Sequence, residues 1–178
     1  MEEQALLTLL RQPETRRTAF SQVITLYQKK VYSLVRKMVV DHDDADDLVQ
    51  EVFIKVWNNL DNFKGESQLF TWIYRIATNE TLNFLRKKRR FSFFRDDLKE
   101  VLAEKLVSEK YVDADEIQIK FQKAILQLPD KQRLVFNMKY FDELPYEEIA
   151  AITETSVGSL KASYHHATKK IEEFLREY

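Results

Sequence analysis

Apolar residues recur every three to four positions along almost the whole chain, the period of a helix that buries one face. From Phe20 the series runs through Val23, Ile24, Tyr27, Val31, Leu34, Val35 and Met38, which predicts one long amphipathic helix. Asp41 to Asp44 breaks it with capping residues. A second helix carries Ala45, Leu48, Val49, Val52, Phe53, Val56 and Leu60 on one face. Asp61 to Glu66 contains Gly65 and is expected to turn, with Ser67 a candidate N-cap for a third helix. That helix shows Leu69, Phe70, Ile73, Ile76, Ala77 and Phe84 and runs into Arg86–Arg90. Three helices on short connections predict a bundle over about residues 15–92.

Residues 96–116 change character, with eight acids against three bases and few apolar positions. This segment is expected to be a flexible linker, with a short helix around Leu98–Leu106. Periodicity returns at Ile117, Phe121, Ala124, Ile125 and Leu128, and stops before Pro129, which disfavours helix in its predecessor. Leu134, Val135 and Met138 mark a further short helix. Pro145 opens one holding Ile149, Ala150 and Ile152, and the last carries Val157, Leu160, Tyr164, Ala167, Ile171 and Phe174. The expected fold is all-α: two small helical bundles, residues 1–95 and 116–178, joined by the acidic linker 96–115. Two glycines and three prolines in 178 residues agree, since many-stranded sheets and glycine-rich phosphate loops need far more.

Charge narrows the function. Lys and Arg number 28 against 29 Asp and Glu, so a polycation is excluded and any nucleic-acid surface must come from local segregation. Such segregation exists: residues 61–95 hold eight bases and three acids, a local charge of +5. Lys64 sits in the turn. Arg86, Lys87, Lys88, Arg89 and Arg90 form an unbroken cationic run, with Arg95 just beyond. Cations at a helix end favour the macrodipole, but this density suits a polyanion. Upstream, Thr71, Arg75, Asn79 and Arg86 line up on the polar side, and aromatic residues surround the stretch: Phe63, Phe70, Trp72, Tyr74, Phe91, Phe93 and Phe94. Cations with aromatics are what unstacked bases need, although Phe70 and Trp72 are better placed as core residues.

From Pro145 to Lys161 the pattern is that of a helix-turn-helix, the second helix capped by Ser156. Turning Leu160, Tyr164, Ala167 and Ile171 inward leaves Ser159, Lys161, Ala162, Ser163, His165, His166 and Lys169 outward or flanking. An ordinary helical hairpin would show much of this pattern too. Residues 156–178 hold four bases and three acids, so the helix cannot bind DNA tightly by charge alone. A third patch is the face of the second helix opposite its core: Asp47, Gln50, Glu51, Ile54, Lys55 and Asn58. Ile54 stranded among polar residues suggests a protein contact. The acidic run from Asp41 to Asp47 lacks the glycine and glutamate of an EF-hand loop.

The chain has no cysteine, which suits a reducing cytosol and excludes thiol catalysis and disulfide frameworks. Its acidic start is unlike a signal peptide, and no run reaches the roughly 20 apolar residues that span a bilayer. Only three histidines occur, none paired at ligand spacing with a carboxylate, so neither catalysis nor a metal or other cofactor is expected.

Two stretches, Asp44-Ala-Asp-Asp-Leu-Val-Gln-Glu-Val-Phe-Ile-Lys-Val-Trp57 and Phe70-Thr-Trp-Ile-Tyr-Arg-Ile-Ala-Thr-Asn79, resemble the N-terminal domain of bacterial extracytoplasmic-function (ECF) sigma factors of the sigma-70 family. Leu128-Pro-Asp-Lys-Gln-Arg-Leu-Val-Phe136 and the helix-turn-helix are similar to their C-terminal domain. The resemblance implies a dissociable RNA polymerase subunit that directs promoter recognition, promoter melting and transcription initiation. On that basis the Asp47–Asn58 face would meet the polymerase clamp helices. Arg75 and Asn79 would read the −10 element, with the Asp61–Gln68 turn accepting a flipped base. The outward face of Ser156–Lys169 would read the −35 element, and the polymerase flap and an anti-sigma protein are further expected partners. Two departures stand out: Glu154 occupies a turn position where many members carry glycine, and Ser163 and His166 stand where arginines are common. A stand-alone helix-turn-helix regulator and a purely protein-binding adaptor remain the alternatives.

Overall fold

In the computed structural model, residues 3–91 and 116–177 are described, Arg90 and Phe91 in backbone alone. The expected linker 96–115, its short helix, and Phe93, Phe94 and Arg95 lie outside the described residues. Among the described residues eight α-helices follow in order: α1 Glu3–Arg11, α2 Pro13–Val39, α3 His42–Asn59, α4 Leu69–Phe91, α5 Glu116–Gln127, α6 Asp130–Tyr140, α7 Tyr146–Thr153 and α8 Val157–Arg176. A 3₁₀ turn, Leu60–Asn62, follows α3. No strand occurs among the described residues.

Local chemistry sets most of these boundaries. Pro13 opens α2, where its fixed φ fits the helix and its missing N–H is not needed. The chain leaves α2 through Val40 at φ 68°. That geometry is costly for a β-branched residue, and it is held by burial of the Val40 side chain. Asp41 then caps α3, its carboxylate accepting the Asp44 N–H at 3.2 Å. Asp43 and Asp44 in the first turn add charge favourable to the macrodipole. α5 stops before Pro129, α7 starts after Pro145, and Ser156 caps α8 by accepting the Ser159 N–H at 3.2 Å, each as the sequence predicts.

The N-terminal bundle buries Val23, Val31, Leu34, Val35 and Met38 of α2 against Ala45, Leu48, Val52 and Val56 of α3 and Leu69, Ile73 and Ala77 of α4. Each of the Val, Leu, Ile and Met side chains among them contributes about 1.5–3 kcal/mol by leaving water. Helix α1, which the periodicity did not mark, closes one end with Leu6 and Leu10. The C-terminal bundle has its own small core of Ala124, Ile125, Leu128, Phe136, Ala167 and Ile171. The sequence leaves the relative placement of the two bundles open. They pack directly: Leu134, Val135, Met138, Ile149, Ile152 and Leu160 join the N-terminal core as one continuous cluster.

Two details correct the sequence reading. Ser67 does not cap α4, because the helix begins at Leu69 and the cap position falls to Gln68, whose carbonyl accepts the Trp72 N–H. The Leu69 N–H is instead taken by the Glu3 carboxylate at 2.9 Å. Thr71, expected on the polar side, is buried. The reason is that α4 is covered by α2, α3 and α7 together and has little polar face left at its N-terminal half.

Candidate DNA and polymerase interfaces

All six residues of the predicted α3 face (Asp47, Gln50, Glu51, Ile54, Lys55 and Asn58) are exposed, and Ile54 remains 59% accessible. The helical period explains this, since the positions between them fill the core. Lys55 leans to α4 and pairs with Glu80 at 2.6 Å. Beside this face a shallow groove between α2 and α3 is lined by Gln28, Lys29, Tyr32, Asp46, Val49 and Gln50. At its rim the Tyr32 hydroxyl and His42 Nδ1 are 2.6 Å apart, and His42 Nε2 lies 3.4 Å from Asp46 one turn on. That pair corrects the sequence reading that no histidine pairs with a carboxylate on a shared helix face. The α2 side of this surface is not marked by sequence.

The candidate −10 surface is built on α4. Lys64 and Asn79 are exposed, as are Arg86 and Lys87. Lys88 is held by Asp44 of α3 and lies 5.7 Å from the Phe84 ring. Arg89 reaches Asp130 of α6. The side chain of Arg90 lies outside the described residues. Phe63 and Trp72 pack with ring centroids 5.1 Å apart, and Phe70 lies 4.1 Å from Tyr74, so these rings fill the bundle surface next to the turn. Gly65, at φ 77°, supplies the one left-handed position that turn requires.

Arg75 has a partner that the sequence does not reveal. Its guanidinium donates to the Ala151 carbonyl at 2.7 Å and lies 3.6 Å from the Glu154 carboxylate, both at the end of α7. Glu154 occupies the left-handed region, φ 53° and ψ 39°, as expected for the turn of a helix-turn-helix.

On α8 the predicted outward set is exposed: Ser156, Ser159, Lys161, Ala162, His165, His166 and Lys169, with Ser163 half-buried. Leu160, Ala167 and Ile171 are buried and Tyr164 is half-buried against α6 and α7, its ring stacked 5.7 Å from Phe136. Burial, more than its neighbours Tyr146 and Tyr140, pushes the Tyr164 hydroxyl above its ordinary pKa. Lys161 lies 5.8 Å from the Tyr146 ring.

Between the bundles Lys37 meets Asp142 at 2.5 Å, and buried Arg133 donates to the Met38 carbonyl at 3.0 Å. Burial lowers the Arg133 pKa, opposed by Asp130 and assisted by Arg89. Burial, then Asp142 and Glu148 across the same interface, raises that of Tyr74.

Comparison with known proteins places this arrangement. Residues 23–91 match the family described as Sigma-70 region 2, and residues 118–171 match Sigma-70, region 4. The ECF RNA polymerase sigma factor SigW of Bacillus subtilis is 33% identical over 168 residues, covering 89% of this chain and 90% of that protein. This chain belongs to the ECF sigma factors of the sigma-70 family. The ECF RNA polymerase sigma-E factor of Escherichia coli is 34% identical over 164 residues, covering 86% of this chain and 85% of that protein. Two solved structures share the fold. CnrH, in complex with the cytosolic domain of CnrY, gives a TM-score of 0.71 at 20% identity over 98% of this chain and 97% of its own. RpoE of Bartonella quintana, in complex with the anti-sigma factor NepR, gives 0.65 at 24% identity over 88% and 96%. The sigma factor described here is thus an alternative sigma factor that acts in transcription initiation, with region 2 on α2–α4 and region 4 on α5–α8. Sigma factors as a class are not enzymes. No helix among its described residues is long and apolar enough to cross a membrane.

Proposed function

We propose that the α3 face from Asp47 to Asn58 docks on the clamp helices of core RNA polymerase in the cytoplasm. Ile54 supplies its apolar centre and Asp47, Gln50, Glu51, Lys55 and Asn58 its polar rim. Region 2 then reads single-stranded −10 DNA through Arg75, Asn79 and Lys64, with Arg86–Arg90 neutralising phosphates. Unstacking one base costs a few kcal/mol, which a protein pocket beside the Asp61–Gln68 turn can recover without ATP. Region 4 places α8 in the major groove of the −35 element, where Ser156, Ser159, Lys161, Ala162, Ser163, His165, His166 and Lys169 face the bases and backbone. It also meets the polymerase flap. The protein needs no cofactor and catalyses nothing by itself.

The observation that carries this reading is the exposure of Ile54 at the centre of a polar helix face, on the same bundle as a cationic helix end whose Arg86 and Lys87 are exposed. RpoE of Bartonella quintana is seen in complex with an anti-sigma factor, and the α3 face is where we expect an anti-sigma protein to compete with polymerase here. The test is transcription by core polymerase on supercoiled genomic DNA, with and without this protein. New discrete start sites, lost in Ile54→Asp, support the assignment. Tight operator binding without polymerase, and no new start sites, would favour a stand-alone regulator.

A further inference from the structure

We propose that residues 3–16 position the base-accepting turn 61–68 of region 2, with Arg16 holding its start and Glu3 its end. The inference rests on the assignment of that turn to the flipped −10 base. Both residues lie before the stretch 23–91 that matches Sigma-70 region 2, so the positioning device is separate from the reader it serves. At the start of the turn, the Arg16 guanidinium of α2 donates to Asp61 Oδ1 at 2.8 Å and lies 5.2 Å from the Trp57 ring. Trp57 is braced in turn by Phe20, with ring centroids 4.9 Å apart and planes at 62°. At the far end, Glu3 of α1 accepts the Leu69 N–H at 2.9 Å, where the chain enters α4.

The two contacts share one rigid support. Helix α1 is seated by buried Leu6 and Leu10, and the Thr15 hydroxyl donates to the Leu9 carbonyl at 2.7 Å across the corner between α1 and α2. Pro13 fixes the backbone φ at that corner. Burial, then the charge of Glu3, raises the Tyr27 hydroxyl above its ordinary pKa, so Glu3 is felt by α2 as well. Between the two held ends the tip residues Lys64, Gly65 and Glu66 are exposed. Their course depends on where the ends are fixed. A short loop closed between fixed ends has already lost freedom that base binding would otherwise have to remove.

Stability does not account for the Arg16–Asp61 pair. The Asp61 side chain is 80% accessible against 24% for Arg16, and an ion pair so exposed adds little to folding. Arg16 is the fixed partner, lying on Trp57, and Asp61 is the residue it holds. Such a pair sets where the turn begins.

The test is sequencing of transcripts started by core polymerase with the full chain on supercoiled genomic DNA, reading base preference at the −10 and −35 elements separately. In Arg16→Gln and in Glu3→Ala, discrimination at the best-defined −10 base should fall by about fivefold, the low end of coupling between sites. The −35 preference should stay as in the parent, because region 4 reads it with other helices. Glu3→Gln, which keeps an acceptor oxygen, should recover most of the −10 preference. Arg16→Lys, which keeps the cation but not its planar face, should recover part of it. Arg16→Gln should also leave unchanged the salt slope of binding to a random single-stranded oligodeoxynucleotide, because a positioning residue contacts no phosphate. Fewer start sites with an intact −10 preference, or blurred preference at both elements, would reduce the contacts to fold support and overturn the proposal. A shallower salt slope in Arg16→Gln would overturn it too, by making Arg16 a phosphate contact. Absence of start sites with the unmodified chain defeats the sigma assignment itself, whereas a sharp −10 preference in every variant defeats only the positioning role.

Discussion

The Glu3 carboxylate accepts the backbone N–H of Leu69 at 2.9 Å, so the first helix of the chain caps the helix that carries the candidate −10 reader. A helix leaves its first N–H groups without internal partners, and here a side chain 66 positions away supplies one. Replacing it with Glu3→Ala should cost about 1 kcal/mol, the usual worth of a cap. Urea unfolding of the two proteins measures this, and Glu3→Gln, which keeps an acceptor oxygen, should recover most of the loss.

Ile54 makes little contribution to the fold at 59% exposure. Ile54→Ala should leave the melting temperature within a degree or two of the parent, because exposed substitutions usually stay within about 0.5 kcal/mol. Polymerase affinity should fall by about tenfold, in line with the 1–2 kcal/mol typical of a central apolar contact. Fluorescence titration with core enzyme checks it, and unchanged affinity would move the docking face elsewhere.

Whereas the exposed Arg89 is tied to Asp130, Arg86 and Lys87 are exposed in the cationic run. Changing both to alanine should weaken single-strand binding across all sequences. The slope of log affinity against log salt should become shallower by about 1.4, since each released phosphate contact contributes about 0.7. The measurement is a salt titration of oligonucleotide anisotropy.

Tyr74 links stability to alkaline pH. Burial, Asp142 and Glu148 raise its pKa from the ordinary 10.0, so the folded protein keeps a proton that the unfolded chain releases. Its contribution is complete below pH 10.0 and is lost as pH climbs toward the folded-state value. Between pH 9 and 11 the unfolding midpoint should fall more steeply for the parent than for Tyr74→Phe. Equal slopes would show that the hydroxyl is solvated.

Leu34, fully buried where α2 meets the rest of the core, tests packing directly. Leu34→Ala should destabilise by about 2–5 kcal/mol, the range for a large-to-small change in a core that only partly collapses. Denaturant unfolding reads the loss as a lower midpoint.

The elements were legible because their causes are local. The 3.6-residue period placed Ile54 outside and Val52 inside, Asp41 and Ser156 identified themselves as caps, and the turn at Glu154 took the left-handed form its position implied. The exposed face of α8 followed from the same period. Ser67 misled because a capping residue type without a helix boundary looks identical in sequence to a cap in use.

By itself the order of residues determined seven of the eight described helices, their buried stripes, and the exposed faces proposed for DNA and polymerase. Only the tertiary structure decided that the two bundles share a core, that Glu3 caps α4, and that Arg75 is engaged by Ala151 and Glu154. The reason is physical: burial patterns and caps act over a few residues and leave a period or a residue type behind. A contact across 76 positions depends on where two rigid bodies settle, and no periodicity records that.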